Sequence, residues 1–401
     1  MGERRSRGGA DEACRSQEQR GRGGISTGEA SGLPLAESGR WLRVLDRGPK
    51  PSAMIHPSLF LLLLPLLSSP LSLFSDAAIL KSPKSKDLID ASLLTLKVPA
   101  KPGRTIIVSP SGNDNFTSVQ AAINAIPEGN SEWIVVHLRA GTYREKVVIP
   151  ENKPYIFMRG NGKGKTFIAW DDSMKNNTES ATFTVEANNF VAFGISFKNG
   201  APLGAASTPF NQSVAVKVSG DKIAFYHCGF YSYHNTLFDH KGRHYYESCY
   251  IQGNIDFIFG RGQTIFQSCE IFVLPDRRTK ILGSITAQNR QSLDDNSGFV
   301  FTKCKVYGVG DVYLGRAKGA HSRVIFHKSY LSKTVTPAGW TNWSYDGSTE
   351  NLLYGEHSCH GPGAETAHRV QWSRQLTQEE VAPFLTVDFV DGKDWLPAYY
   401  D

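Results

Sequence analysis

The sequence predicts an all-β protein: a single-domain parallel β-helix, which is a solenoid of short stacked strands, with short capping helices. From about residue 104 onward, short apolar runs alternate with turns rich in Gly, Asn and Asp, a pattern typical of strands. Strong helical signals are nearly absent between these runs, which disfavours alternating strands and helices. A cysteine-centred motif also recurs about every 20 residues, as solenoid repeats do.

The elements follow in order along the chain. An amphipathic segment at 118–126 begins with Ser118 and is stopped by Pro127, so it suits a helix that caps the N-terminal end. The strand signals lie at 133–138, 146–149, 182–185, 190–197, 214–218, 223–226, 243–246, 255–259, 264–266, 299–301, 312–314 and 323–326. Thr377 and Glu380 then form a capping box ahead of an apolar tail, which predicts the C-terminal cap.

The repeat is centred on Cys228, Cys249, Cys269 and Cys304, of which the first three lie 21 and 20 residues apart. Each sits in a run that begins with an aromatic residue. A Greek-key sandwich also has many short strands and is the competing fold, but the regular recurrence favours the solenoid. No Cys-x-x-Cys spacing is present, which disfavours a zinc site, and the one-coil separation of Cys249 and Cys269 permits a disulfide.

The N-terminal quarter of the chain has a different composition. Residues 1–53 are rich in Gly, Ser and charge without apolar periodicity, so we expect a disordered extension upstream of the true translation start. Met54 opens a hydrophobic segment of signal-peptide length, 54–78, for which a membrane anchor is the alternative, and 79–103 then forms a linker. The predicted domain spans 104–401.

Secretion is consistent with the rest of the composition. Asn-x-Ser/Thr sequons at Asn115, Asn176, Asn211 and Asn342 are candidate glycosylation sites of a secreted glycoprotein. The chain carries a net charge of +6, and about +4 remains without the extension and the signal segment. A mildly basic secreted protein suits polyanions outside the cell, whereas secretion and the lack of a dense basic patch argue against nucleic acid.

One carboxylate stands out as a candidate for chemistry. Asp256 lies inside the apolar run 251–260, which is typical of a buried strand. An unpaired buried carboxylate is costly, so either a cation pairs with Asp256 or the protein keeps it for catalysis. A structural Asp that caps a turn is the alternative.

Seven short motifs, in their order and spacing, give the chain a resemblance to plant pectinesterases over about 104–398. They lie at 141–145, 212–215, 239–244, 255–260, 286–290, 314–316 and 339–340. The resemblance implies a right-handed parallel β-helix, a monomer without cofactor or metal, secreted to the cell wall. It implies removal of methyl esters from homogalacturonan (pectin), with proteinaceous pectinesterase inhibitors as possible partners. The group implied is the one that lacks the inhibitor-like pro-region.

The resemblance also implies roles for individual residues. Asp256 matches the nucleophile, Arg316 the arginine that orients it, and Gln212 one donor to the oxyanion. Tyr143, Phe259 and Trp340 are candidates for contact with sugar.

Three positions depart from the usual family pattern. His234 and Asn235 stand where the family commonly has Gln and Asp, and Lys318 replaces a tryptophan. In one hypothesis the protein is an esterase in which His234, as oxyanion donor or substitute acid and base, offsets the loss of the usual acid at Asn235. In the other it is a catalytically impaired pectin-binding wall protein, with Lys318 attracting galacturonate carboxylates. A polygalacturonate lyase or hydrolase is disfavoured, because the motifs match the esterases.

Overall fold

Three parallel β-sheets wind around one core in the part of the chain that the structure, a computed structural model, describes. The described residues are 103–173, 177–202, 212–275 and 283–397. The predicted extension at 1–53, the signal segment at 54–78 and nearly all of the predicted linker lie outside them. Among the described residues, no helix has the length and apolar character needed to cross a membrane.

The strands are numbered in chain order. Sheet A contains β1 (Arg104–Val108), β2 (Ile134–Leu138), β5 (Ile156–Arg159), β8 (Phe190–Phe193), β11 (Ile223–Tyr226), β14 (Arg243–Glu247), β17 (Gln263–Gln267), β20 (Gly298–Thr302), β23 (Arg323–His327), β26 (Leu353–His357) and β27 (Arg374–Gln375). Sheet B contains β3 (Gly141–Arg144), β6 (Thr166–Trp170), β9 (Ser196–Asn199), β12 (Gly229–Tyr231), β15 (Tyr250–Gly253), β18 (Glu270–Val273), β21 (Lys305–Gly308) and β24 (Tyr330–Leu331). Sheet C contains β4 (Val147–Ile149), β7 (Phe183–Val185), β10 (Val216–Val218), β13 (Leu237–Asp239), β16 (Ile258–Gly260), β19 (Gly283–Gln288), β22 (Val312–Arg316) and β25 (Trp340–Thr341). The helices are α1 (Val119–Asn124), α2 (Asn177–Ser180) and α3 (Gln378–Val381), with single 3₁₀ turns at Pro362–Ala364, Ala382–Phe384, Val387–Val390 and Gly392–Asp394.

The recurring motif fills the core with like residues stacked on like. Five aromatic rings from successive strands of sheet A lie in one column: Phe225, Tyr246, Phe266, Phe301 and Phe326. Neighbouring ring planes are nearly parallel, and their centroids are 4.5–5.2 Å apart, close to the spacing of adjacent strands. Because every strand pair is parallel and each coil repeats the register, the predicted right-handed parallel β-helix is confirmed.

The cysteines form a second column beside these rings. The thiol of Cys249 donates to the carbonyl of Phe225 at 3.4 Å, and that of Cys269 donates to Tyr246 at 3.5 Å. Cys304 repeats the contact one coil further on. All five cysteines among the described residues are free, so the disulfide that the spacing of Cys249 and Cys269 permits is not formed.

A left-handed backbone residue ends most strands of sheet A and turns the chain into sheet B. Gly194, at φ +65°, breaks the predicted strand 190–197 into β8 and β9. In later coils His227, Ser248 and Ser268 take the same conformation, each immediately before a core cysteine of the repeat. The prediction of one continuous strand was wrong here, because apolar content does not show a tight bend between two strands.

The two predicted helix caps are present, but only one closes an end of the solenoid. The Ser118 side chain caps α1 by accepting from Ala121 N, and α1 packs against β1 and β4. The capping box of Thr377 and Glu380 is confirmed at α3. The segment that follows α3 packs along the outer face of sheet A, so the expectation of a C-terminal end cap was wrong. That face is apolar and needs cover, which the segment provides through Val390, Trp395 and neighbouring residues.

A buried ion pair ties β13 to β14 below the surface of sheet C. The fully buried His244 donates from Nδ1 to Asp239 Oδ1 and from Nε2 to Gly220 O, both at 2.9 Å. Tyr246 donates its hydroxyl to the other carboxylate oxygen of Asp239. Burial alone lowers the pKa of His244, but the charge and hydrogen bonds of Asp239 and the Gly220 carbonyl outweigh burial and raise it. The ring is therefore held as an imidazolium.

This pair predicts a pH dependence of stability. A group whose pKa is higher in the folded than in the unfolded state stabilises the protein. This stabilisation is complete at pH values below the unfolded pKa and is lost as pH rises through the folded pKa. Wild type is expected to lose its stability advantage over His244→Gln as pH rises from 5 to 9, measured by urea unfolding. An advantage that is constant or grows with pH contradicts the assignment of an imidazolium.

Candidate active site

Four consecutive turns from sheet B to sheet C carry the candidate residues. Gln212, His234, Asp256 and Ser284 lie in or just after the turns that enter β10, β13, β16 and β19. His234 bridges Ile255 in a parallel pairing, so Asn235 and Asp256 occupy equivalent positions of successive coils. Because adjacent strands lie about 4.8 Å apart, side chains at equivalent positions are close neighbours.

The backbone directs these two side chains away from the strand. Asn235 and Asp256 both have left-handed φ values, +56° and +47°. The predicted strand at 255–259 is therefore shorter than expected: β16 begins at Ile258, and Asp256 lies in the turn before it. As at the ends of the strands of sheet A, a left-handed residue at each of these two positions makes a tight turn between two strands.

Asp256 is buried, at 7% exposure, and is held by three hydrogen bonds from one arginine. Arg316 Nε lies 2.8 Å from Oδ1 and 2.9 Å from Oδ2, and Nη2 lies 2.5 Å from Oδ2. Ser284 Oγ donates a fourth bond to Oδ1 at 2.5 Å. The cation that the sequence requires beside Asp256 is therefore Arg316, and a planar guanidinium fixes both the charge and the plane of the carboxylate.

Arg316 is fixed from two further sides. Burial lowers its pKa, but the hydrogen bonds and charge of Asp256 outweigh burial and raise it, so the cation is permanent. The Trp343 ring lies over its guanidinium carbon, 5.1 Å from ring centroid to Cζ, and is 45% exposed. The backbone carbonyl of Arg316 accepts a bond of 2.7 Å from the Tyr354 hydroxyl. Trp343 thus adds a partly exposed aromatic ring beside Arg316, the residue that holds Asp256.

Serine hydroxyls join the turns of Gln212 and His234. Ser213 Oγ contacts Ser232 Oγ at 2.9 Å and donates to the His234 carbonyl at 3.2 Å. The His234 side chain is buried and packs edge-on against Tyr233. Within the described part of the chain, the amide oxygen of Gln212 is buried without a hydrogen-bond partner. The two ends of an amide have the same shape, so rotating it would aim the NH₂ donor at the same space.

A row of side chains crosses the outer face of sheet C beside these turns. Lys217, Phe238 and Phe259 pair in register across β10, β13 and β16, and the row continues through Ala287 to Arg316. The rings of Phe238 and Phe259 stack at 4.5 Å with an interplanar angle of 7°. Phe259 is therefore on the site side of sheet C, though mostly covered by its neighbours.

Two of the predicted sugar contacts are elsewhere. Trp340 is 1% exposed, packs in the core against Phe326 and Tyr354, and donates from Nε1 to Glu356. Tyr143 is buried, and its hydroxyl donates to the carbonyl of Val108. Neither ring offers a face to a polymer, so these two predictions were wrong. Successive residues of a strand point to opposite faces of the sheet, so some aromatic residues are buried and others are not. Sequence alone does not show which aromatic residues are buried.

Lys318 and three residues that sequence reasoning missed complete the site. Lys318 is exposed, two positions beyond Arg316. In the sequence, Trp343 stands out only as part of a glycosylation sequon, and neither Phe238 nor Ser284 stands out at all. The strand that contains Ser284 was not among the predicted strands. The signal that could have identified this residue was the regular succession of turns.

Known proteins share the sequence of this chain over most of its length. The family model for pectinesterase matches residues 105–393. "Probable pectinesterase 67" from Arabidopsis thaliana is 61% identical over 325 residues, 81% of this chain and 93% of the relative. "Pectinesterase QRT1", from the same plant, is 37% identical over 304 residues, covering 73% and 79%.

A solved structure shares the same fold. The pectin methylesterase from carrot matches with a TM-score of 0.70 and 31% identity, covering 75% of this chain and 98% of the carrot enzyme. The stacked turns, the buried carboxylate held by arginine and these matches lead to one conclusion: the chain belongs to the pectinesterase family.

Proposed function

We propose that this protein hydrolyses methyl esters of homogalacturonan with Asp256 as the nucleophile. The observation that carries the proposal is the buried carboxylate of Asp256, held in one plane by Arg316 and Ser284, with the Trp343 ring over Arg316. Such a carboxylate is paired with a fixed cation and oriented, and it has no rotational freedom to lose before attack.

In the first step, an oxygen of Asp256 attacks the ester carbonyl and forms a tetrahedral oxyanion. As this intermediate collapses, the carbon–oxygen bond to the methoxy group breaks, the leaving methoxide takes a proton from an acid and departs as methanol, and an acyl anhydride with Asp256 remains. In the second step, water gives a proton to the same group, now a base, and attacks the anhydride. Asp256 and the free galacturonic acid are released.

We infer that His234 and Asn235 exchange the roles usual at these two positions. The family's Gln–Asp pair places an amide donor before an acid, whereas this chain places an imidazole before an amide. An amide has no proton to give near neutral pH, but it donates hydrogen bonds, so Asn235 joins Gln212 as an oxyanion donor. Imidazole, with an ordinary pKa near 6.5, donates and then accepts the proton of the two steps.

Location and partners rest on sequence. We propose secretion to the cell wall through the segment 54–78, action as a monomer, and sensitivity to proteinaceous pectinesterase inhibitors. The hydrophobic segment, the sequons and the mild positive charge support these proposals. A pectin-binding protein without activity is not favoured by the comparisons with pectinesterases.

The test is methanol release from highly methylated pectin between pH 5 and 9. His234→Ala is expected to lower kcat by about 10²- to 10⁴-fold, the usual contribution of general acid–base catalysis. The double change of His234→Gln with Asn235→Asp restores the family pair and is expected to recover activity. His360→Ala, an exposed histidine far along the chain, is the matched control and should be silent. Inactive wild type together with an active Asn235→Asp variant would refute the proposal.

A further inference from the structure

A hydrogen bond crosses the core of the solenoid and ends at the main chain of Arg316. The hydroxyl of Tyr354 donates to the Arg316 carbonyl oxygen at 2.7 Å. Tyr354 lies in β26 of sheet A, whereas Arg316 is the last residue of β22 in sheet C, 38 residues earlier in the chain. The side chain of Arg316 holds the proposed nucleophile, so this bond links the interior of the solenoid to the active site.

Sheet C by itself gives the end of β22 little support. The neighbour of β22 on one side is β25, which is the last strand of the sheet and only two residues long. Arg316 pairs with Thr341, the second of those two residues. A strand end beside so short a neighbour is held by few ladder contacts, so contacts from the core help to decide where the Arg316 main chain lies.

The Tyr354 side chain is itself held in one position. It is fully buried, and its ring packs against those of Trp340 and Trp372, with ring centroids 4.9 Å and 5.6 Å away. Burial raises the pKa of its hydroxyl, so the hydroxyl keeps its proton and remains a donor between pH 5 and 9. Removing a buried donor is costly, because the acceptor left behind stays buried without that hydrogen bond.

Trp340 extends this aromatic group beneath the residue that precedes Arg316. A Cβ atom at Gly315 would clash with Oγ1 of Thr286 and would lie 3.2 Å from Cζ3 of Trp340. Gly315 therefore packs against the core with no room for a side chain, and the same indole ring packs against Tyr354. One buried group of side chains thus contacts the main chain at both Gly315 and Arg316.

Small displacements of this main chain are expected to affect the chemistry. Arg316 reaches Asp256 through three hydrogen bonds of 2.5–2.9 Å, and these set the plane of the carboxylate. A shift of the Arg316 main chain moves the guanidinium, and the carboxylate turns with it. A misplacement of about 1 Å in an active site can cost about 10²-fold in rate.

We propose that Tyr354 is a positioning residue for ester hydrolysis. Its hydroxyl fixes the main chain of Arg316 and thereby the plane in which Asp256 attacks. This inference rests on the proposed function and adds to it a residue that lies in the core and does not meet the substrate. Because Tyr354 acts through Arg316, loss of its hydroxyl is expected to slow the chemical step and to leave substrate binding unchanged.

The test is Tyr354→Phe, which keeps the ring and its packing and removes only the hydroxyl. Its kcat for methanol release from highly methylated pectin is expected to fall about 10- to 100-fold, with KM within about twofold of wild type. Tyr143→Phe is the matched control, because the buried Tyr143 hydroxyl also donates to a main-chain carbonyl, that of Val108, at 2.8 Å. This control should lower the thermal midpoint by a similar amount and leave kcat unchanged.

Two further measurements ask whether the effect passes through Arg316. In an Arg316→Lys background, adding Tyr354→Phe should lower kcat by no more than about twofold, because the planar contact that the hydroxyl positions is already absent. Hydrogen exchange of the Arg316 Nε–H, followed by NMR, should be at least about tenfold faster in Tyr354→Phe than in wild type. The same exchange rate should be unchanged in Tyr143→Phe.

The outcomes separate this inference from the proposed function. If wild type releases methanol but Tyr354→Phe and Tyr143→Phe have the same kcat, or if the effects of Tyr354→Phe and Arg316→Lys are independent, the inference is overturned and the proposed function stands. If Tyr354→Phe does not fold, Trp372→Leu replaces it, since this change keeps the hydroxyl and removes one neighbour of its ring, and wild-type kcat in that variant overturns the inference. If wild type releases no methanol, the proposed function is refuted, and an unchanged exchange rate of the Arg316 Nε–H in Tyr354→Phe then overturns this inference too.

Discussion

Asp256→Asn is expected to lower kcat for methanol release by about 10⁴-fold or more, since a nucleophile knockout removes the chemical step itself. The amide is nearly isosteric but cannot attack, and KM should change little because the groove is intact. Ser284→Ala removes one bond to the carboxylate and leaves the nucleophile, so a loss of about tenfold is expected. Methanol release and thermal unfolding measured side by side separate chemistry from folding.

Asp311→Asn is the matched control for this experiment, because Asp311 is an exposed carboxylate outside the site. It should retain full activity and full stability. Asp256→Asn that retains more than a few per cent of wild-type kcat contradicts the assignment of the nucleophile. A variant that is inactive only because it unfolds is recognised by its thermal midpoint.

Arg369→Met is expected to cost about 3–5 kcal/mol of unfolding free energy, because it leaves a buried carboxylate without its cation. Arg369 donates to Glu356 from Nε at 2.7 Å and from Nη2 at 3.0 Å, and the two side chains are 5% and 2% exposed. Glu356 also accepts a hydrogen bond from Trp340, which lies three residues before Trp343, the residue that contacts Arg316. Activity is therefore expected to fall together with stability.

Urea unfolding at pH 7 measures the stability effect, and the chain supplies its own control. Arg374 pairs with Glu380 at the surface, with side chains 51% and 36% exposed, so Arg374→Met should cost less than about 1 kcal/mol. Adding Glu356→Leu to Arg369→Met removes the stranded charge and should recover part of the loss. Equal effects of Arg369→Met and Arg374→Met would contradict a buried pair.

Much of the fold follows from residues that repeat. The cysteines and the aromatic residues before them recur because each coil places one residue of each kind at the same level of the core. Similarly, Asp256 stands out because charge is rare in an apolar run, and Arg316 follows from the motifs that accompany it. Local composition carries these signals directly.

Other features could not be predicted, because they depend on packing at a distance. The split between β8 and β9 at Gly194 and the turn at Asp256 are bends that apolar content does not mark. The C-terminal segment covers sheet A because the outer face of that sheet is apolar, which only the assembled sheet shows. Burial of Trp340 and exposure of Trp343, three residues apart, depend on which face of the last coil each ring meets.

The sequence by itself determined the repeat, the solenoid architecture and the residue types available for chemistry, since these depend on period, composition and motif order. Only the tertiary structure decided which of those residues meet. Gln212, His234, Asp256 and Ser284 are dozens of residues apart in the chain but stack in neighbouring turns, and Trp343 reaches Arg316 from a later coil. A parallel solenoid converts a sequence separation of one coil into one strand spacing, about 4.8 Å, and that conversion builds the site.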